Sequence, residues 1–278
     1  MSDDDVRAAF AAAEDVAPEP RSDDESDPPM PPDSPIDDPD LLAALLDCAE
    51  LPQNDLGNGQ RFVRHFGEDF IHVPRVGWHH WVGTHWRKDE DARDVRRTTQ
   101  KLSGLIMREL RFIAPTADEA GIMERREDAM AAVRRLLAIP AKDRTAEQKQ
   151  QLAEEERHIK AIDEIEARLR SRRASRSKFA TTTGNSGRID NAMKEAEVVL
   201  SLDFEDLDAN KLDVNVANGV LRFAVSESSG DGDTSVADVQ LRDHARDLFC
   251  SKICNAGYDP DATCPTFDAF FARIQPDP

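Results

Sequence analysis

All three tryptophans, Trp78, Trp81 and Trp86, fall within the single stretch WHHWVGTHW, which also holds three of the seven histidines. Gly83-Thr84 at its centre has the composition of a two-residue hairpin loop of the Gly-X kind. Cross-strand partners count outward from such a loop, so Trp81 faces Trp86 and Val82 faces His85. His79 falls on the tryptophan side and His80 and His85 on the other, and no Cys or carboxylate of the local pattern completes a tetrahedral ligand set. Exposed tryptophans stack on bases at about 1–3 kcal/mol each. A chain with only 6% aromatic residues, however, is expected to spend them on a core. The hairpin therefore anchors the fold.

The sequence around it supplies the other elements. NDLGNGQRFVRHFG predicts a short helix with Asp55 as N-cap, Leu56, Phe62, Val63 and Phe66 as its apolar face and Gly67 as its stop. A turn at Pro74 to Gly77 makes the following segment a β-meander. Helices are expected over Ala92 to Ile113, Ala117 to Ala138 and Thr145 to Lys178, separated at Pro115 and Pro140. The last is long and amphipathic, with Leu152, Ile159, Ile162 and Leu169 on one side. TTTGNSGRID ends it and starts another helix, with Ile189, Met193, Ala196 and Leu200 on its apolar face. LDVNVANGVLRFAV predicts a hairpin turning at Asn218-Gly219, and SESSGDGDTS a flexible excursion. A short helix bearing Phe267, Phe270, Phe271 and Ile274 closes the chain. The expected fold is α+β and mostly helical, with an N-terminal β-hairpin or meander, a helical middle, and a C-terminal β-hairpin and short helix.

Residues 1–50 carry sixteen Asp and Glu against two Arg, which is most of the net charge of −19. They predict a disordered acidic tail. Residues 51–200 are expected as a helical domain with the Trp-rich hairpin, and 201–278 as the hairpin and short-helix segment. No apolar run approaches the roughly 20 residues of a membrane span, and the acidic N-terminus is unlike a signal peptide. A cytoplasmic protein is expected, with Cys48, Cys250, Cys254 and Cys264 reduced.

No catalytic residue, metal site or cofactor is assigned. Cys250, Cys254 and Cys264 with His244 could supply four ligands, but the second close pair of a zinc knuckle is missing and buried small hydrophobes are the simpler reading. GNSGRID precedes a helix start without forming a G-x-x-x-x-G-K-[ST] loop. Asp203, Glu205, Asp206, Asp208 and Asp213 read as acids at turns and helix starts.

One charge cluster stands apart. RLRSRRASRSK holds Arg168, Arg170, Arg172, Arg173, Arg176 and Lys178 with no acid among them. Arg168, Arg172 and Arg176 are spaced i, i+4, i+8, which sets them along one helix face over about 12 Å. Such a stripe suits phosphates along a single DNA strand. The structural alternative is pairing with acids of Asp118 to Asp128.

Four stretches, DLGNGQRFVRHFGEDFIHVPRVGWHHWVGTHW, RSRRASRSKFATTTGNSGRIDNAMKEAE, LDVNVANGVLRF and YDPDATCPTFDAFFARI, resemble in order the phage and plasmid primase-helicases related to the satellite coliphage alpha protein and the poxvirus primase-helicase. The resemblance covers about residues 52 to 278. It implies the module that precedes a superfamily 3 helicase, a largely helical collar that helps a ring-shaped helicase assemble and engage DNA. It also implies a helicase domain or subunit as partner, and self-association into a ring. Walker and primase motifs are absent from this sequence, so the chain alone is not expected to be an enzyme; a truncated primase-helicase, or an interaction module without DNA contact, is the alternative.

Overall fold

The structure is a computed structural model and describes residues 36–226 and 236–275. Its chain separates into two compact units. Among the described residues one is Ala114–Ser175, and the other joins Ser34–Ile113 to Arg176–Pro278.

The larger unit begins with α1 (Pro39–Ala49), where the acidic tail was expected to be disordered up to residue 50. Charge counting hid a well-capped helix. The Asp38 carboxylate accepts the amides of Asp40 and Leu41 at 3.0 and 3.2 Å, Pro39 opens the first turn, and Leu45 and Cys48 are fully buried. The remainder of the expected tail, residues 1–35, lies outside the described residues.

Next comes α2 (Asp55–Phe66), capped by Asn54, one residue before the expected Asp55; the Asn54 side chain accepts the Gly57 amide at 2.8 Å. Its Phe62 is buried and Val63 and Phe66 are partly so, whereas Leu56 is exposed. Strands β1 (Phe70–Val73), β2 (Gly77–Trp81) and β3 (Trp86–Lys88) form an antiparallel sheet in that order. Trp81 pairs with Trp86 and the Val82 amide donates to the His85 carbonyl at 3.1 Å, as the outward count from the loop requires. Gly83 supplies the positive φ of 88° at the first loop position.

The helix expected over Ala92 to Ile113 is two, α3 (Arg93–Thr99) and α4 (Leu102–Glu109). The Thr99 hydroxyl folds back onto the Val95 carbonyl where the first ends. In the smaller unit, Ala117 to Ala138 likewise divides at Arg125 into α5 (Ala117–Glu124) and α6 (Arg126–Leu137). The long helix α7 (Ala146–Thr183) then runs five residues past its expected end, and its stretch from Arg176 onward belongs to the larger unit. Ala129, Ala132, Leu136, Leu152, Ile162, Ile165 and Leu169 are the buried residues of the smaller unit.

Back in the larger unit, α8 (Ser186–Val199) buries Ile189, Met193 and Ala196, the expected face. Its packing on α2 joins Phe62, Phe70, Trp78, Leu102, Ile106 and Phe179 into one core. A second antiparallel sheet follows, of β4 (Asp213–Val216), β5 (Gly219–Ser226) and β6 (Val236–Arg242). Val216 pairs with Gly219, so the turn is Ala217-Asn218, one residue before the expected Asn218-Gly219. Gly219 has φ +153°, and a Cβ there would lie 2.4 Å from the Arg242 carbonyl of β6. It is required by the third strand, which the sequence reading did not foresee. The expected excursion at 226–235 falls almost entirely outside the described residues. The last helix, α9 (Pro265–Ile274), leaves Phe267, Phe270, Phe271 and Ile274 exposed.

The chain divides inside the expected 51–200 domain, at Ala114 and again after Ser175, and residues on both sides of position 200 lie in the larger unit, where the Trp86 amide donates to the Cys250 carbonyl at 2.8 Å. The α+β, mostly helical class holds, and no described helix is long and apolar enough to cross a membrane.

Candidate nucleic-acid interface

The basic run lies wholly on α7, and the structure sorts its six residues by what they touch. Arg168 is 61% exposed at its side chain and places Nη2 at 3.7 Å from Glu119 Oε1. One turn on, Arg172 is 44% exposed and donates from Nη2 to Glu119 Oε2 at 2.9 Å. Arg170 and Lys178 are exposed, and Arg173 is half-buried.

Arg176 is different. Only 6% exposed, it forms an ion pair with Glu109 and donates from Nη2 to the Ala49 carbonyl at 2.8 Å. Burial holds its pKa below the ordinary arginine value even though Glu109 pulls the other way. The expected surface stripe of Arg168, Arg172 and Arg176 thus stops at Arg172, since one further turn brings the helix onto a buried carboxylate instead of solvent.

Glu109 also holds Arg61, and both side chains of that pair are fully buried. Arg61 donates besides to the carbonyls of Pro52, Cys48 and Leu51 at 2.9, 3.0 and 3.1 Å. Sequence reasoning passed over Arg61 and Glu109. The available signal was position: Asn58, Arg61 and Phe62 share the i, i+3, i+4 face of α2, and a charge on an apolar face implies a buried partner.

The acid facing Arg168 and Arg172 is held firmly. Glu119 sits third in α5 and forms a capping box with Thr116, accepting the Thr116 amide at 3.0 Å while its own amide donates to the Thr116 hydroxyl at 3.3 Å. That amide bond first, and Arg172 second, lower the Glu119 pKa from its ordinary value. The pairing with acids of Asp118 to Asp128 is therefore present for these two arginines, while both side chains stay exposed.

The Trp-rich hairpin is core on both faces. Trp78 packs against Phe62 and Phe70, and its Nε1 donates to Glu197 at 3.3 Å. On the other face the Trp86 ring stacks with Phe249, and its Nε1 donates to the Arg246 carbonyl at 2.8 Å. The Trp78 and Trp86 rings, 3% and 2% exposed, offer no platform to a base, and Trp81 is half-buried against the Trp86 ring and the Arg246 guanidinium.

Among the described residues, His80, Asp89 and Asp94 bring possible metal-binding atoms within 4.8 Å of one another. Their surroundings do not suit an ion. Arg87 donates to His80 Nε2 at 2.9 Å, so that nitrogen is an acceptor and Nδ1 carries the proton, whereas a ligand histidine gives its second N–H to an acceptor. Both Asp89 oxygens already accept the amides of Asp94 or Val95, the start of α3.

Cys48 and Cys250 are buried thiols pushed up to about 11, with burial the first cause in each. Cys254 and Cys264 are exposed, and His244 faces the Ala217 carbonyl. Of the acidic run, Asp208 accepts the Ser251 amide at 2.7 Å and Asp213 binds Arg222 at 2.7 Å, both structural uses. A groove of 740 Å³ beside α1, α2 and α4 mixes Arg64, Lys101 and Arg108 with Asp38, Asp40 and Asp69.

Comparison with family models gives a match over residues 59–276 to the family described as D5 N terminal like. A search of curated proteins returned no match.

Proposed function

The chain belongs to the D5 N-terminal-like family of primase-helicases, and from that membership we propose that it supports helicase assembly and engages single-stranded DNA through the exposed basic side chains of α7. Primase-helicase-associated replication is the coarse function that membership carries. The finer reading rests on one observation: Arg168, Arg170 and Arg172 stand exposed within two turns of one helix, and among the described residues Arg172 spends one direct hydrogen bond, to Glu119. A guanidinium has five N–H donors, so most remain for phosphate. Lys178 adds a further exposed charge, and Arg173 is a secondary contact. Arg176 is excluded from the phosphate-contacting set by its burial. The proposed partners are single-stranded DNA and a superfamily 3 helicase domain or subunit, with assembly of several copies into a ring.

Anisotropy of a labelled, sequence-scrambled single strand, titrated at several salt concentrations, tests the reading. Binding should be weakly sequence-selective, and the combined Arg168→Gln, Arg170→Gln, Arg172→Gln variant should lose affinity and flatten the salt slope by about 0.7 per contact removed. An unchanged isotherm would reject DNA engagement at this helix. A second reading, docking of a protein partner without DNA, draws on the exposed Phe267, Phe270, Phe271 and Ile274 of α9.

A further inference from the structure

The pairing of two exposed arginines with one fixed acid bears on how the basic helix would take up phosphate. We propose that Glu119 is the resident counter-anion of Arg168 and Arg172, holding guanidinium donors that a nucleic-acid phosphate must take over. The inference rests on the DNA-engagement reading above and adds a regulating residue to it.

Three features carry it. The acid is anchored independently of the arginines: its Oε2 accepts the Thr116 amide at 3.0 Å, so it stays in place when they leave. The exposures are unequal, with 17% for Glu119 against 61% and 44% for Arg168 and Arg172. Long side chains rooted on α7 therefore reach from solvent toward a stationary carboxylate, and each can turn outward without unravelling α5. Finally, the two contacts differ. Arg172 makes a direct bond at 2.9 Å, while Arg168 stands at 3.7 Å, beyond hydrogen-bond distance, and is the first free to accept a phosphate. Two positive charges share one negative charge, so the cluster keeps a net attraction for anions that removal of Glu119 would increase.

Uptake of phosphate is then an exchange of anions, and because exposed ion pairs are weak the exchange is easy. The resident carboxylate lowers affinity modestly and sets a threshold that multiple phosphates along a strand overcome more readily than a single phosphate does.

Glu119→Gln is the direct test, since Gln at this helix position retains the capping box while removing the charge. Its binding to an oligothymidylate should tighten by about two- to fivefold at low salt, the range expected for loss of one exposed competitor. The gain should shrink at high salt, where the pair is already screened. In a background with Arg168→Gln and Arg172→Gln the same change should have little effect, which a double-mutant cycle reads directly. Circular dichroism and the thermal transition establish that every variant is folded. If Glu119→Gln leaves affinity unchanged or weakens it while the arginine variants bind less, the counter-anion role is wrong and the DNA reading stands. If the arginine variants also bind as the wild type does, the DNA reading itself fails.

Discussion

Arg61 and Glu109 face one another with no solvent on either side chain, Nε to Oε1 at 2.8 Å. Arg176 reaches the same carboxylate from α7, so two guanidiniums depend on one buried acid and on the carbonyls that ring it. Removing one member of such a set strands charge in a medium that solvates it poorly.

Glu109→Ala should therefore destabilise the protein by about 3–5 kcal/mol, and Arg176→Met should be clearly destabilising as well. Arg172→Gln, four residues away from Arg176 on the same helix but exposed, should stay within about 0.5 kcal/mol of wild type. Urea unfolding midpoints measure all three. Equal, small effects from Arg176 and Arg172 substitutions would contradict the buried placement of Arg176.

His65 gives a pH signature. Burial first, and the neighbouring Arg64 and Arg61 charges next, lower its pKa from 6.5 to about 4. Its Nε2 is buried without a hydrogen-bond partner. Between those two values the unfolded chain binds a proton that the folded chain refuses. Stability from this group is accordingly complete above pH 6.5 and declines as the pH falls toward 4. Melting temperatures across that window should fall less steeply for His65→Gln than for wild type. Parallel curves would show that His65 titrates normally in the fold.

Glycine to alanine should act with opposite signs at two helical sites. A Cβ on Gly59 would come within 2.4 Å of Glu195 Cβ on α8, so Gly59→Ala forces apart the α2–α8 contact at about 1–3 kcal/mol despite better helix propensity. Gly104 on α4 is exposed and has nothing within 4 Å of its would-be Cβ, so Gly104→Ala should stabilise by up to about 1 kcal/mol. Denaturant titration of the two variants settles both signs.

The parts legible in the sequence were those with short-range causes. Gly83-Thr84 sets the Trp81–Trp86 register because strand pairing is counted from the loop, and the Ile189, Met193, Ala196 face follows from helical spacing alone. Failures had distant causes. Arg176 matches its neighbours in type and spacing, and only Glu109, 67 residues earlier, takes it out of solvent. The turn falls at Ala217-Asn218, one residue early, and the Gly219 it leaves in the strand lies against the Arg242 carbonyl of β6, a strand reached only across residues outside the described set. The helix over Pro39–Ala49 was masked by the charge of the surrounding residues, although Asp38 and Pro39 were a legible start signal. For the basic run, sequence supplied the charges but not their sorting into exposed, half-buried and buried.

The larger unit is discontinuous, closing on itself only when the stretch after Arg176 has joined the stretch before Ile113. Asn58 on α2, for instance, meets Thr183 across 125 residues. This has a consequence for synthesis, which runs in one direction. α2 leaves the ribosome with Asn58 and Phe62 lacking Thr183, Phe179 and the α8 residues that complete their burial, and waits while the whole inserted helical unit is made. That insert draws on contacts within Ala114–Ser175 and can fold first. Protease resistance of nascent chains should then arrive in two steps, the middle of the sequence before its beginning. During the interval the early helices are the segment most in need of a chaperone.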